Sequence, residues 1–166
     1  VQEHNKRAGT ENLIGIIGAG VAAEAARRDM QQRIGHLSGL RDKLVAELPN
    51  YIDDYIINTN LAYSLPHLLS VSVKYIEGES VVLMLDDEHF AVSTRSACAT
   101  GSLRASHVLL SIGLSHADAQ GTLVIAFGVE NTAEEVERFL AALKKVVTSL
   151  RNISPLYQKS AKAASA

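Results

Sequence analysis

Apolar residues recur at helical spacing through the first third of the chain. From Glu11 onwards, large apolar residues lie three or four positions apart, with an alanine-rich stretch between two groups of them: Leu13, Ile14, Ile17, Val21, Ile34, Leu37, Leu40, Leu44 and Leu48. This spacing is typical of an amphipathic helix. Pro49 and Asn50 then interrupt the pattern, as expected where a helix ends. The sequence therefore predicts one long helix over residues 13–49.

Shorter apolar runs follow, and they predict short strands with helices between them. The strand candidates are rich in β-branched residues and are 55–57, 68–75, 90–93 and 123–127. The helix candidates between them are 80–87, with residues 81–85 largely buried, and 106–112, which ends at Gly113.

The last helix has the clearest boundary signal in the chain. Thr132 and Glu135 form a capping-box pattern, in which each side chain accepts from a free backbone N–H of the other residue. Apolar residues with a period of 3.6 follow: Val136, Phe139, Leu140, Leu143, Val146, Val147 and Leu150. The whole pattern predicts an α+β domain with a three- to four-stranded sheet, helices on one face and a long helix leading in.

Composition and charge narrow the class of protein. The chain of 166 residues is 47% apolar and 20% charged, which indicates a globular domain. A net charge of −2 gives no reason to expect a nucleic acid or an anionic membrane as partner. No apolar run is long enough to span a bilayer, no signal sequence is recognisable, and a single cysteine excludes an intrachain disulfide. Cytoplasm is therefore the expected location.

The single cysteine, Cys98, lies in a run of small and polar residues, 93–102. Small neighbours leave a sulfur accessible, and Arg95 and Arg104 favour its thiolate, which is the nucleophilic form. A buried, inert thiol is the alternative that the residues alone leave open.

Gly18 and Gly20 belong to a G-x-G-x-x-A pattern that could hold a dinucleotide. That motif needs a second strand ending near an acidic residue about twenty positions on, but residues 27–42 are charged and helical. The glycines are better explained by close packing of a helix.

The histidines show no zinc-ligand spacing with Cys98, so no metal site is expected. They are His4, His36, His67, His89, His107 and His116. His107 follows the cysteine run closely enough to serve as an acid, a base or a thiolate partner, although no spacing supports such a role. Thr10, in the polar segment that enters the long helix, could cap that helix or bind an anion there.

Taken together, these segments resemble the cysteine desulfurases, pyridoxal-phosphate enzymes that take sulfur from cysteine. The matching segments cover nearly the whole chain in the right order: Gln2–Glu3, Arg7–Asn12, Leu65–His67, Tyr75–Ser80, Ser96–Cys98, Ser106–Leu109, Gly113–Leu114, Asn131–Glu135 and Ser154–Tyr157. The S-x-x-S-A-C pattern that ends at Cys98 marks the members with a long mobile catalytic loop.

The resemblance implies a function for two residues. Cys98 would be the catalytic cysteine, attacking the sulfur of cofactor-bound L-cysteine, releasing alanine and keeping a persulfide for an acceptor or scaffold protein. That sulfur would serve iron–sulfur clusters or thio-modification. Thr10 would contact the cofactor phosphate of the partner subunit in a homodimer.

The resemblance also implies how the chain is divided. Residues 1–12 would end the pyridoxal-phosphate domain, 13–49 would connect the domains, 50–153 would be the small C-terminal domain with the cysteine loop at 93–105, and 154–166 would be a tail.

The chain departs from the family pattern in three ways. The pyridoxal lysine, with its preceding histidine and the aspartate facing the ring nitrogen, lies upstream in the family, and nothing here matches those residues. Val124 stands where most members carry an arginine that binds the substrate carboxylate, and Arg95 stands where glycine is usual. The chain therefore resembles only the C-terminal part of the enzyme and is expected to be inactive alone.

Two rival interpretations stay open. The chain could be a non-catalytic, stand-alone module that relays sulfur or binds a partner. It could also belong to a pyridoxal aminotransferase of the same superfamily, which would not need Cys98 in a mobile loop.

Overall fold

The computed structural model describes residues 2–94 and 105–158. The chain forms two compact units, which are residues 1–35 and residues 36–166. Its elements are α1 (Leu13–Glu47), β1 (Tyr55–Ile57), β2 (Leu68–Val73), α2 (Gly78–Asp87), α3 (His107–Ser111), α4 (His116–Gln120), β3 (Thr122–Ala126) and α5 (Ala133–Ile153). Short 3-10 turns occupy Glu3–Asn5 and Leu48–Asn50.

The described strands form one antiparallel sheet in the order β1-β2-β3. Tyr55 pairs with Val73, and Leu69 pairs with Ile125. The α+β class and the three-stranded sheet are therefore as the apolar pattern predicts. The finer division of the chain into domain segments stays a prediction.

The core of the second unit forms where the apolar faces of the sheet and helices meet. On β2 and β3 the buried apolar residues alternate along each strand, because successive side chains point to opposite faces. The largest fully buried side chains among the described residues are Leu44, Leu48, Leu69, Val71, Val73, Val81, Leu85, Leu123, Leu140, Leu143, Val146 and Val147. Burying each of them stabilises the fold by about 1.5–3 kcal/mol relative to exposure in water.

The capping box predicted at the start of α5 is confirmed. The backbone N–H of Glu135 donates to Thr132 Oγ1 at 3.3 Å, and the N–H of Thr132 donates to Glu135 Oε2 at 3.0 Å. Asn131 also donates to that carboxylate at 3.0 Å. The hydrogen bond from Asn131, followed by that from the backbone of Thr132, lowers the pKa of Glu135 below its ordinary value.

Two local predictions were wrong, and one short helix was missed. Residues 90–93 are not a strand, because only Ser93 forms an isolated bridge to the sheet. The short helix α4 was missed because five residues are too few to show a period; Ser115 caps it by accepting from the N–H of Asp118. Leu83 is exposed, since it points away from the core face on which Val81 and Leu85 are buried.

The long first helix is confirmed, and Gly18 and Gly20 lie inside it. Since residues 13–17 are helical, the strand that a dinucleotide fingerprint requires is absent at this position. Among the described residues, no helix is both long and apolar enough to cross a membrane.

Candidate functional site

The chain approaches the cysteine segment from the edge of the sheet. Cys98 itself lies in 95–104, outside the described residues, so its predicted exposure and role stay predictions. Ser93 forms two backbone hydrogen bonds with Val124 of β3, one from each N–H, at 3.2 and 2.6 Å. Strand β3 therefore holds the chain two residues before the segment begins.

Gly78 and Gly121 allow backbone segments to pack closely around the bridge between Ser93 and Val124. A Cβ on Gly78 would lie 2.8 Å from Thr122 O and 3.0 Å from Thr94 Cγ2. A Cβ on Gly121 would lie 2.0 Å from Val73 O, which is a clash with backbone. The glycines let the start of α2 and the start of β3 lie directly against their neighbours, and this contact includes Thr94.

Both ends of the cysteine segment border one cleft. Thr94 precedes the segment and Ser106 follows it, and the two residues line this cleft with Glu77, Glu79, Leu109, Ala119 and Gln120. Glu77 and Glu79 are exposed carboxylate residues at the start of α2. The segment that carries Cys98 therefore leaves and rejoins the described structure at a single place.

Val124 lies at the centre of a row of side chains across the sheet. Its partner on β2 is Ser70, and its partner on the other side is Ser93. Directly paired residues share a face of the sheet, so the side chain of Val124 lies between two serines. Val124 is half-buried, while Leu123 and Ile125, on the opposite face, are buried.

A polar network that the sequence analysis missed lies next to this row. Asn58 Nδ2 donates to Ser70 Oγ at 3.1 Å and to Ser72 Oγ at 2.9 Å, and Ser72 Oγ lies 2.5 Å from Thr122 Oγ1. Ser72 and Thr122 are buried. The network links the end of β1 to β2 and β3. The alternation of serine with apolar residues in 68–73 is the signal that could have revealed it.

Thr10 is exposed in the first unit, and it does not cap α1. Asn12 does so instead, since its Oδ1 accepts from the N–H of Gly15 at 3.0 Å. The carbonyl oxygen of Thr10 accepts from Arg7 Nη1 at 3.4 Å. The contact of Thr10 with a cofactor phosphate stays a prediction.

His107 begins α3, and its carbonyl oxygen accepts from the hydroxyl of Ser111 at 2.8 Å. Among the described residues, no group of three or more histidine, cysteine, aspartate or glutamate side chains is placed to hold a metal ion.

The described lysines with ion-pair partners do not suit a Schiff base with pyridoxal phosphate. Lys43 Nζ lies 2.5 Å from Glu137 Oε1, and this hydrogen bond raises the pKa of Lys43. Lys145 pairs with Glu88. A Schiff-base lysine requires a lowered pKa, from desolvation or a cationic neighbour. These residues therefore do not fit the aldehyde end of the cofactor.

Comparison with known proteins identifies the family of this chain. The family model for aminotransferase class-V matches residues 2–139. Cysteine desulfurase IscS 1 of Archaeoglobus fulgidus is 40% identical over 158 residues, and cysteine desulfurase IscS of Dictyoglomus turgidum is 42% identical over 158 residues. These alignments cover 95% of this chain but 41% and 40% of the relatives.

The fold of the chain is also similar to that of a solved structure. A solved structure described as a NIFS-like protein superimposes with a TM-score of 0.75 and 36% identity, covering 90% of this chain and 37% of that one. The chain thus spans about two fifths of the length of the relatives it matches.

Proposed function

The chain belongs to the aminotransferase class-V family, and we propose that it is the C-terminal part of a cysteine desulfurase whose catalytic residue is Cys98. The observation that carries the proposal is the similarity to cysteine desulfurases over 95% of the chain. The anchoring of the cysteine segment at Ser93 and at the cleft of Thr94 and Ser106 supports it further.

The proposed reaction moves one sulfur atom. The carbon–sulfur bond of L-cysteine breaks, a sulfur–sulfur bond forms at Cys98, and the products are L-alanine and a persulfide on Cys98. The thiol proton of the substrate is retained in the products, so no external oxidant or reductant is needed. The outer sulfur of this persulfide then passes to an acceptor or scaffold protein for iron–sulfur cluster assembly or thio-modification, in the cytoplasm, and the Cys98 thiol is restored.

Pyridoxal phosphate is the proposed cofactor of the full-length protein and supplies the electron sink for carbon–sulfur cleavage. Its lysine lies outside this chain, which agrees with the ion-paired state of Lys43 and Lys145. Thr10 would contact the cofactor phosphate of the partner subunit, which requires a homodimer.

Val124 makes the substrate side of the site unusual. It has no charge, and its row neighbours Ser70 and Ser93 offer hydroxyl groups instead. The substrate carboxylate is therefore bound without an ion pair from this position.

A stand-alone sulfur-relay or partner-binding module is the second candidate. The observation that favours it is the core of the second unit, in which Leu44, Leu69 and Leu140 are fully buried without any further domain. Such a module would use Cys98 only to accept sulfur from a donor protein.

One experiment separates the two candidates. The part of the Dictyoglomus turgidum relative that this chain does not match would be fused ahead of Val1, and alanine formation from L-cysteine would be measured. The desulfurase proposal predicts turnover that disappears in Cys98→Ser and persists in the exposed control Ser111→Ala. Equal alanine release by the Cys98→Ser fusion, or none by either, would contradict it.

A further inference from the structure

Two residues beside the sheet have left-handed backbone conformations although neither is glycine. Asp54 directly precedes β1 and has a φ of 47°, and Tyr75 follows β2 closely and has a φ of 69°. The two turns are in contact, because the N–H of Lys74 donates to the carbonyl oxygen of Asp54 at 2.8 Å. A bulky side chain such as that of tyrosine rarely adopts this conformation. It persists only where the surrounding structure holds it.

The end of α5 supplies contacts to both turns. Arg151 is 4% exposed, and its Nη2 donates to the carbonyl oxygens of Asp53 and Asp54 at 2.8 and 3.3 Å. Its Nη1 forms an ion pair with the carboxylate of Asp53. Ser154, which directly follows the helix, donates its hydroxyl to the carbonyl oxygen of Tyr75 at 2.6 Å. Arg151 therefore holds the first turn, and Ser154 holds the second.

Tyr157 links these two contacts. Its ring centroid lies 5.8 Å from that of Tyr75 and 5.1 Å from the guanidinium carbon of Arg151. The hydroxyl of Ser154 also accepts from the N–H of Tyr157 at 3.4 Å. The segment after α5 is thus tied to the turn after β2 by side chains and by backbone.

The turn at Tyr75 leads directly to the cleft that borders the cysteine segment. Ile76 is buried, and Glu77 lines the cleft together with Thr94. Gly78 lies against Thr94, since a Cβ on it would be 3.0 Å from Thr94 Cγ2. A displacement of the turn therefore moves the start of α2, against which Thr94 packs.

We propose that Ser154 is a positioning residue for Cys98. By holding the turn at Tyr75, it fixes the start of α2 and, through Thr94, the place where the cysteine segment leaves the sheet. Sulfur transfer to Cys98 then depends on a hydroxyl that is not part of the cleft. This inference rests on the proposal that Cys98 is the catalytic residue of a desulfurase.

A contribution to stability alone is the alternative role for Ser154. The N–H of Ser154 donates to the carbonyl oxygen of Arg151 at 3.1 Å at the end of α5, and this backbone contact does not need the hydroxyl. The hydroxyl is directed instead to Tyr75 and Tyr157. Its removal therefore tests the contact with the turn while keeping the end of the helix.

The first test uses the 166-residue chain. Ser154→Ala should accelerate amide exchange about tenfold at residues 76–79 and at Ser93, because the turn loses the hydrogen bond that holds it. The amide of Leu69, in the buried part of β2, should keep its exchange rate. The matched control Ser149→Ala, at an exposed position within α5, should change none of these rates.

Unchanged exchange at Ser93 in the Ser154→Ala chain would overturn the proposal, because the turn would then not be coupled to the cysteine segment. Equal acceleration at Ser93 and Leu69 would also overturn it, because that result indicates lower stability alone.

The second test measures alanine formation by the fusion with the unmatched part of the Dictyoglomus turgidum relative. Ser154→Ala should lower kcat about tenfold, because the attacking thiol is misplaced after the substrate has bound. The KM for L-cysteine should stay unchanged. Ser154→Thr, which keeps the hydroxyl, should restore kcat, and Ser149→Ala should leave it at the wild-type value.

A folded Ser154→Ala fusion with the wild-type kcat would contradict the positioning role, as would a lowered kcat that Ser154→Thr does not restore. A wild-type fusion that forms no alanine would refute the desulfurase and with it the role in sulfur transfer. The exchange test would then still decide whether Ser154 and the cysteine segment are coupled.

Discussion

Gly121 occupies a position where no side chain fits between two segments of backbone. Its carbonyl accepts from the N–H of Val73 at 2.9 Å, and an added Cβ would lie 2.0 Å from the carbonyl oxygen of Val73. This contact precedes β3 directly, and β3 in turn holds Ser93. Gly121 therefore allows the close backbone contact at the start of the strand against which the cysteine segment is anchored.

The substitution Gly121→Ala should lower the free energy of unfolding by about 3 kcal/mol, because the backbone must move to accept the methyl group. Urea unfolding followed by circular dichroism measures this change. Gly128→Ala is the matched control, since its Cβ would have only an ordinary contact, at 3.7 Å from Asn131 Oδ1. An equal loss in the two variants would contradict the close approach at Gly121.

Val124 allows a prediction about substrate binding in the fusion protein. An arginine at this position could form a bidentate, charge-assisted pair with a carboxylate. Val124→Arg should therefore lower the KM for L-cysteine about tenfold. Val129→Arg, at an exposed position, controls for the added charge. A folded Val124→Arg variant with an unchanged KM would argue against a position near the substrate carboxylate.

Among the elements, α5 was the most predictable from sequence and the segment around 90–93 the least. The capping box and the apolar stripe of α5 are local patterns, and they need no knowledge of the rest of the fold. The bridge from Ser93 to Val124 joins residues far apart in sequence, so no local period reveals it. The row of Ser70, Val124 and Ser93 likewise depends on strand register, which the sequence pattern did not determine.

The start of α5 should make stability depend on pH. The pKa of Glu135 is lowered in the folded protein, first by Asn131 and then by the backbone of Thr132. The carboxylate therefore stabilises the fold fully above its unfolded pKa of about 4.5, and this contribution is lost as the pH falls through the lower, folded pKa. Urea midpoints of the wild type and Glu135→Gln should differ at pH 7 and converge at acid pH. A difference that stays constant with pH would contradict this assignment.

Thr132→Ala should lower the free energy of unfolding by about 1 kcal/mol at neutral pH, because the N–H of Glu135 loses its acceptor. Thr132→Ser, which keeps the hydroxyl, should recover most of the loss. Urea unfolding of the three proteins provides the measurement, and equal stability of all three would exclude a capping contribution.

For the whole molecule, the resemblance to cysteine desulfurases could be recognised from sequence because its motifs recur in order along nearly the entire chain. The aminotransferase class-V match over residues 2–139 and the likeness in fold agree with it. The exposure of residues 13–23 could not be predicted, because their apolar spacing is the same as that of a helix packed within its own domain. Only the structure shows which part of α1 is buried, at Leu40, Arg41 and Leu44.

The isolated chain should neither bind pyridoxal phosphate nor release sulfide from L-cysteine. The cofactor requires a lysine of lowered pKa, whereas Lys43 has a raised one. Titration of the cofactor with residues 1–166 should leave its visible absorbance unchanged. A new absorbance band together with sulfide release would require a catalytic lysine within this chain.

The most direct test of the central claim is to locate the transferred sulfur. The fusion protein would be incubated with sulfur-labelled L-cysteine, blocked with an alkylating agent and digested, and the peptide that contains Cys98 would be analysed by mass spectrometry. The proposed function predicts one additional, labelled sulfur atom on Cys98 within the first turnover, and its loss when a thiol acceptor is added. Alanine formation with no labelled sulfur on Cys98 would contradict the role assigned to this residue.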